Sequence, residues 1–148
     1  MGPLGRLFLG TGELPAEVRD ELEAEGLVLL EEGLSGSVRY RKFRAPGRRF
    51  NRKVTPVRVG VGVSEERLAG YCASGRGKLI NSRWDSPQLA ALDVSFDGGD
   101  KVDFHIDYSR MPAAEAEEVS GEVTIRVKTP KAAQLAETVQ ARLASAQG

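Results

Sequence analysis

The chain is predicted to fold as a mainly β (α+β) antiparallel barrel or sandwich of about seven strands, with a capping C-terminal helix and an extra N-terminal helix. Three observations carry that expectation. Short alternating segments follow one another with turn residues between them and leave no room for crossover helices. Gly98-Gly99 falls between two alternating runs, where a hairpin turn needs positive φ. The stretch GEVTIRVKTPKAAQLAETVQARL near the end reads as a strand, a cap and one amphipathic helix.

Residues 1–12 are Gly-rich and read as a flexible tail. A helix over 13–26 follows: Pro15 suits a first turn, Glu17, Asp20 and Glu21 favour a helix N-terminus, and Gly26 ends it. Leu14, Val18 and Leu22 form its apolar edge. From Leu27 the period changes to that of strands, first LVLLEEG and then SVRYRKFR, whose alternation slips at Arg41-Lys42 as at a β-bulge. APGRRFNRK reads as a loop. Val57, Val59, Val61 and Val63 then alternate with Arg58, Gly60, Gly62 and Ser64, a half-buried strand whose other face is nearly bare.

SEERL is a turn into the strand LAGYCA, SGRG is another turn, and KLINSRW and LAALDVSF are strands separated at Asp85-Ser86-Pro87. In the hairpin FDGGDKVDF and beyond, Val102, Phe104, Ile106 and Tyr108 are expected to face inward. MPAAEAEEVS reads as an acidic loop. The last strand places Val123, Ile125 and Val127 on one face. Thr129 caps the final helix, Pro130 opens it, and Ala132, Leu135, Ala136, Val139 and Leu143 make its apolar stripe.

At 148 residues the chain is expected to be a single domain over 27–145 with the helix and tail in front of it. One cysteine, Cys72, excludes an internal disulfide and a multi-cysteine zinc site. The apolar runs are too short to span a membrane, and the start fits neither a secretory signal nor a myristoylation motif, so a cytoplasmic location is expected. The zero net charge conceals segregation: residues 1–32 hold eight acids and two bases, while residues 33–64 hold nine bases and no acid.

The Ser64-Glu65-Glu66-Arg67-Leu68 turn, the short antiparallel strands and the closing GEVTIRVKTPKAAQLAETV resemble bacterial pleckstrin-homology-like domains over about residues 27–145. In those domains a T-x-x-R-L-like turn leads into the next strand; here Ser64 replaces the threonine. The resemblance implies a seven-stranded bent sandwich with a C-terminal helix, used for binding and not for catalysis.

The candidate anion or partner site is the basic segment Arg39, Arg41, Lys42, Arg44, Arg48, Arg49, Arg52, Lys53 and Arg58, interleaved with Phe43 and Phe50. Clustered cations create a potential that holds phosphates, lipid headgroups or acidic protein. The plainer reading is a solvated face neutralised by the acidic helix or by a neighbouring subunit. Asp103, His105 and Asp107 share one strand face at about 7 Å spacing, but one histidine without a second cluster reads as an exposed polar row. Gly75-Arg76-Gly77-Lys78 fails the phosphate-loop pattern at Cys72 and Leu79. Asp97 and Asp100 read as plain turn residues, Cys72 as a small hydrophobe and Trp84 as a core anchor.

The expected function is therefore a non-enzymatic interaction module without catalytic residues, metal or cofactor. Its partner would be an unknown protein or an anionic membrane surface, the latter at the inner membrane face. A pI near 6.6 disfavours nucleic acid. Two alternatives stand beside it: a homo-oligomer built from acidic-helix to basic-hairpin contacts, and a small-ligand barrel using the bare face at Gly60 and Gly62.

Overall fold

The computed structural model describes residues 12–72, 77–111 and 119–147. The expected tail, apart from Gly12, lies outside them, as do most of the acidic loop (112–118) and residues 73–76 of the SGRG turn. The architecture is mainly β and antiparallel, with a helix near each end, as the sequence predicts. The chain divides into two compact units, Met1–Gly36 with Pro56–Trp84 and Ser37–Thr55 with Asp85–Gly148.

The first unit contains helix α1 (Ala16–Ala24) and the beginning of strand β1 (Leu27–Ala45). It also holds most of β3 (Val54–Ser64), and all of β4 (Arg67–Cys72) and β5 (Gly77–Arg83), in the order β5-β4-β3-β1. The two sequence segments expected as separate strands form one continuous β1. Pro15 is the residue before α1, and its carbonyl accepts from the amides of Val18 and Arg19. Leu14, Val18 and Leu22 pack with Ala69 and Tyr71 into a buried cluster, joined by Leu30.

The half-buried expectation for β3 is corrected: both of its faces are buried from Val59 to Ser64. The reason is the glycine face. A Cβ on Gly60 would lie 2.6 Å from the Gly12 carbonyl oxygen, and one on Gly62 would run into Leu22 Cδ1 and Leu14 Cδ1. The bare strand is thus the bed of the N-terminal segment, which fills the space that a small ligand would have needed.

The second unit contains the end of β1, the short β2 (Arg48–Phe50), helix α2 (Pro87–Ala90), β6 (Leu92–Phe96), β7 (Lys101–Asp107) and a 3-10 turn (Tyr108–Arg110). It closes with β8 (Ser120–Lys128) and helix α3 (Ala132–Gln147), and its strand order is β1-β8-β7-β6, with β2 paired to β1 off that path. Val102, Phe104 and Ile106 are buried, while Tyr108 leaves the strand and is half-buried in the 3-10 turn. Thr129 Oγ1 accepts from the Lys131 amide at 3.1 Å, the expected cap. Ala132, Leu135, Ala136 and Val139 are buried and Leu143 half-buried, with α3 lying against β6 and β7.

Two further expectations change. The segment from Pro87 to Ala90 is helical, because Ser86 Oγ caps the Leu89 amide and Pro87 takes the first position; the strand starts only at Leu92. The APGRRFNRK segment is not wholly loop: its Arg48–Phe50 returns along β1 as β2, through a Pro46-Gly47 turn with Gly47 at φ +75°.

Candidate functional site

The β1–β2 hairpin owes its shape to three aromatic rings. Phe43 pairs with Phe50 across the strands, their rings parallel within 6° at 6.0 Å, and Tyr40 leans on both at 5.1 and 5.0 Å. Tyr108 meets Phe43 edge-on at 6.2 Å. Burial, with Tyr40 beside it, pushes the Tyr108 phenol up from its ordinary pKa. These rings are half-buried, so a three-residue strand gains an apolar anchor that its few backbone bonds do not supply.

The expected slip at Arg41-Lys42 is present. Lys42 adopts φ +50°, its amide donates to Asn51 Oδ1 at 3.2 Å, and Arg41 and Lys42 are both exposed in succession. In the link between β2 and β3, Arg52, at φ +61°, and Lys53 together face Tyr40: the Tyr40 carbonyl accepts from Arg52 N, and the Tyr40 amide donates to Lys53 O. Two residues opposite one, the first left-handed, is a bulge. It turns consecutive basic side chains outward while the rings keep their own side.

Arg39, Arg41, Lys42, Arg44, Arg48, Arg49, Arg52 and Lys53 are all exposed on this hairpin. Arg44 stands directly opposite Arg49 in the register. Arg41 Nε reaches Glu122 Oε2 at 3.8 Å, and Lys53 Nζ sits 4.1 Å over the Phe50 ring. Among the described residues Arg44, Arg48, Arg49 and Arg52 make no side-chain ion pair or hydrogen bond. Two shallow open depressions flank Lys42 and Asn51. One, of about 470 Å³, is lined by Lys42, Phe43, Arg44, Arg49, Phe50 and Asn51; the other, of about 420 Å³, includes Arg39, Arg41, Arg52 and Val54.

Arg58, the ninth expected cation, is placed differently. It belongs to the first unit, is half-buried, and donates through Nη1 to the Gly33 carbonyl at 2.8 Å, with Nε buried and unpartnered among the described residues.

The Asp103, His105 and Asp107 row faces partners on β8 and in the following turn. Arg126 holds Asp103 with two bonds of 2.8 and 2.9 Å and pulls its carboxyl below the usual range, with Arg39 adding to the effect. His105 lies between Thr124 Oγ1 at 2.7 Å and Glu122 Oε1 at 3.0 Å. Asp107 accepts from Ser109 and is likewise lowered. Among the described residues no group of three or more acids, histidines or cysteines is arranged to hold a metal. Burial pushes the Cys72 thiol up, away from the thiolate that nucleophilic chemistry requires.

One polar centre escaped the residue-by-residue reading: the turn at Ser64. Its Oγ accepts from the amides of Glu66 and Arg67 at 3.1 and 3.0 Å and donates to Glu25 Oε1 at 3.1 Å. Arg67 then forks onto Glu25, with Nη2 2.6 Å from Oε2 and Nε 2.9 Å from Oε1, and reaches Glu21 and Asn81 at 3.3 Å each. The Glu25 hydrogen bond raises the Arg67 pKa further. Trp84, 5% exposed, donates from Nε1 to the Ser64 carbonyl at 2.9 Å. The only sequence signal was the Ser-x-x-Arg spacing; the Glu25 partner lies 42 residues away.

The chain matches no protein-family model and no curated protein sequence. Among the described residues no helix is long and apolar enough to cross a membrane.

Proposed function

We propose that the chain is a non-enzymatic interaction module of the pleckstrin-homology-like type, which docks an anionic surface, lipid headgroups or acidic protein, through the β1–β2 hairpin. The observation that carries this reading is the facing pair Arg44 and Arg49. Like charges directly opposite on a sheet weaken the pairing by about 0.2–1 kcal/mol. An anion bridging them reverses that penalty. The aromatic anchor beneath holds the two strand positions in register before any partner arrives, which lowers the ordering cost of binding.

Cosedimentation with anionic and neutral vesicles, alongside retention on an immobilised acidic polymer, tests the reading. Binding to an anionic surface that falls steeply with salt, and that the double substitution R44E/R49E abolishes, is the expected result. Retention unaffected by salt or by R44E/R49E overturns it.

A further inference from the structure

We propose that the partner of the hairpin is helix α1 of a second copy of this chain, so that copies associate head to tail. This rests on the anion-docking reading above and gives it a partner. The acids of α1 and its flanks fall into two groups. Glu21 and Glu25 are committed to Arg67 in their own unit. Glu13, Glu17, Asp20 and Glu23 are exposed, and among the described residues their carboxylates make no ion pair or hydrogen bond.

The opposite side of the helix is buried through Val18 and Leu22, so these carboxylates point outward from a rigidly seated element. Glu17, Asp20 and Glu23 recur every three residues, about 4.5 Å of helix rise each. Side chains facing across a hairpin, as Arg44 and Arg49 do, are separated by about 4.8 Å. Residues three apart on a helix surface have Cβ atoms about 5–6 Å apart, close to the Cβ spacing of facing residues across a hairpin.

A protein partner fits this surface better than a bilayer. The hairpin rings pack on one another, and the large apolar side chain left exposed beside the cations is Val54, 51% accessible. Little apolar area is on offer for insertion between lipids. Because two different surfaces meet, each added copy brings a new helix and a new hairpin, and the contact either closes into a ring or extends.

Light scattering of the full chain over a range of concentrations, at about 50 mM and about 0.5 M salt, reads the association directly. The apparent mass should rise with concentration at low salt and fall to the monomer at high salt. E17K/D20K/E23K and R44E/R49E should each weaken self-association about tenfold, the sum of several exposed ion pairs. Circular dichroism checks that both variants stay folded.

An equal mixture of the two variants should associate again, since the reversed helix meets the reversed hairpin and the two native surfaces also meet. A monomer at every concentration in low salt overturns the proposal, as does a mixture that fails to recover. If the monomer still binds anionic vesicles through Arg44 and Arg49, the partner assignment alone falls. If it binds neither its own copies nor any polyanion, the docking reading falls with it.

Discussion

Two regions, the Ser64 turn of the first unit and the β1–β2 hairpin of the second, treat charge in opposite ways. In the first, the Arg67 guanidinium is met by Glu25, Glu21 and Asn81, and Glu25 also accepts from Ser64. Only 23% of the arginine side chain and 19% of Glu25 remain accessible. In the second, Arg44 and Arg49 face one another in the open. A partly buried cation is tolerable only with its partners in place, so the Arg67 network is structural. An exposed cation without partners adds little to folding.

The largest effects that sharpen this contrast are in the two cores. Leu22 and Leu135 are each 0% exposed, one on α1 of the first unit and one on α3 of the second. Truncation to alanine at either site should cost about 2–5 kcal/mol in urea unfolding. A cost well below 1 kcal/mol for Leu22→Ala would mean that α1 is not seated on the Gly60 and Gly62 strand.

Next comes the clamp. Arg67→Met leaves the Glu25 carboxylate with Ser64 as its remaining partner and should destabilise by about 1–3 kcal/mol. Arg44→Met, the same change in the exposed pair, removes the facing like charges and should leave the stability unchanged or raise it by at most about 1 kcal/mol. Equal losses at the two arginines would break the distinction between a structural and a spare cation.

A smaller effect is expected from pH in the second unit. The Asp103 carboxyl is lowered by its bond to Arg126, so the stabilisation it contributes is complete above the ordinary aspartate range near about 3.9. It is lost as pH falls from there through the lowered folded-state value. Asp107, lowered by Ser109, acts in the same direction and window. Because 45% of the Arg126 side chain is exposed, the Asp103 share should be about 0.5 kcal/mol. Asp103→Asn should remove that share of the decline in urea midpoint between pH 6 and pH 3; an unchanged pH profile in the variant would show that the pair contributes nothing.

How much of this was legible in the sequence depended on the range over which each feature is determined. The apolar edge of α1, the Thr129 cap, the inward face of β7 and the slip at Lys42 are set by neighbours within a few residues, and the periodicity showed them. Strand β2 was hidden because Pro46, Gly47 and Asn51 mark turns, and only the stacking of Phe50 on Phe43 makes a strand of the residues between. Ser86-Pro87 did carry a helix-start signal, but the apolar run after it read more strongly as a strand. The Arg67 clamp joins residues 42 apart, and no local pattern encodes that distance. The hairpin cations were visible as a charge run; that Arg44 and Arg49 face each other follows from the two-residue Pro46-Gly47 turn, which sets Ala45 against Arg48.

A stability change of opposite sign is the sharpest test of the contrast. Replacing Arg44 and Arg49 together by threonine removes the facing like charges and favours the strand conformation, so the fold should gain about 0.2–1 kcal/mol. The same substitution removes the two cations that an anionic partner would bridge, so retention on an acidic surface should be lost at physiological salt. A structural residue behaves the other way, losing stability when altered, as Arg67 should. If the double variant is both less stable and still retained, the hairpin cations are part of the fold, and the hairpin and the Ser64 turn do not differ in how they use their arginines.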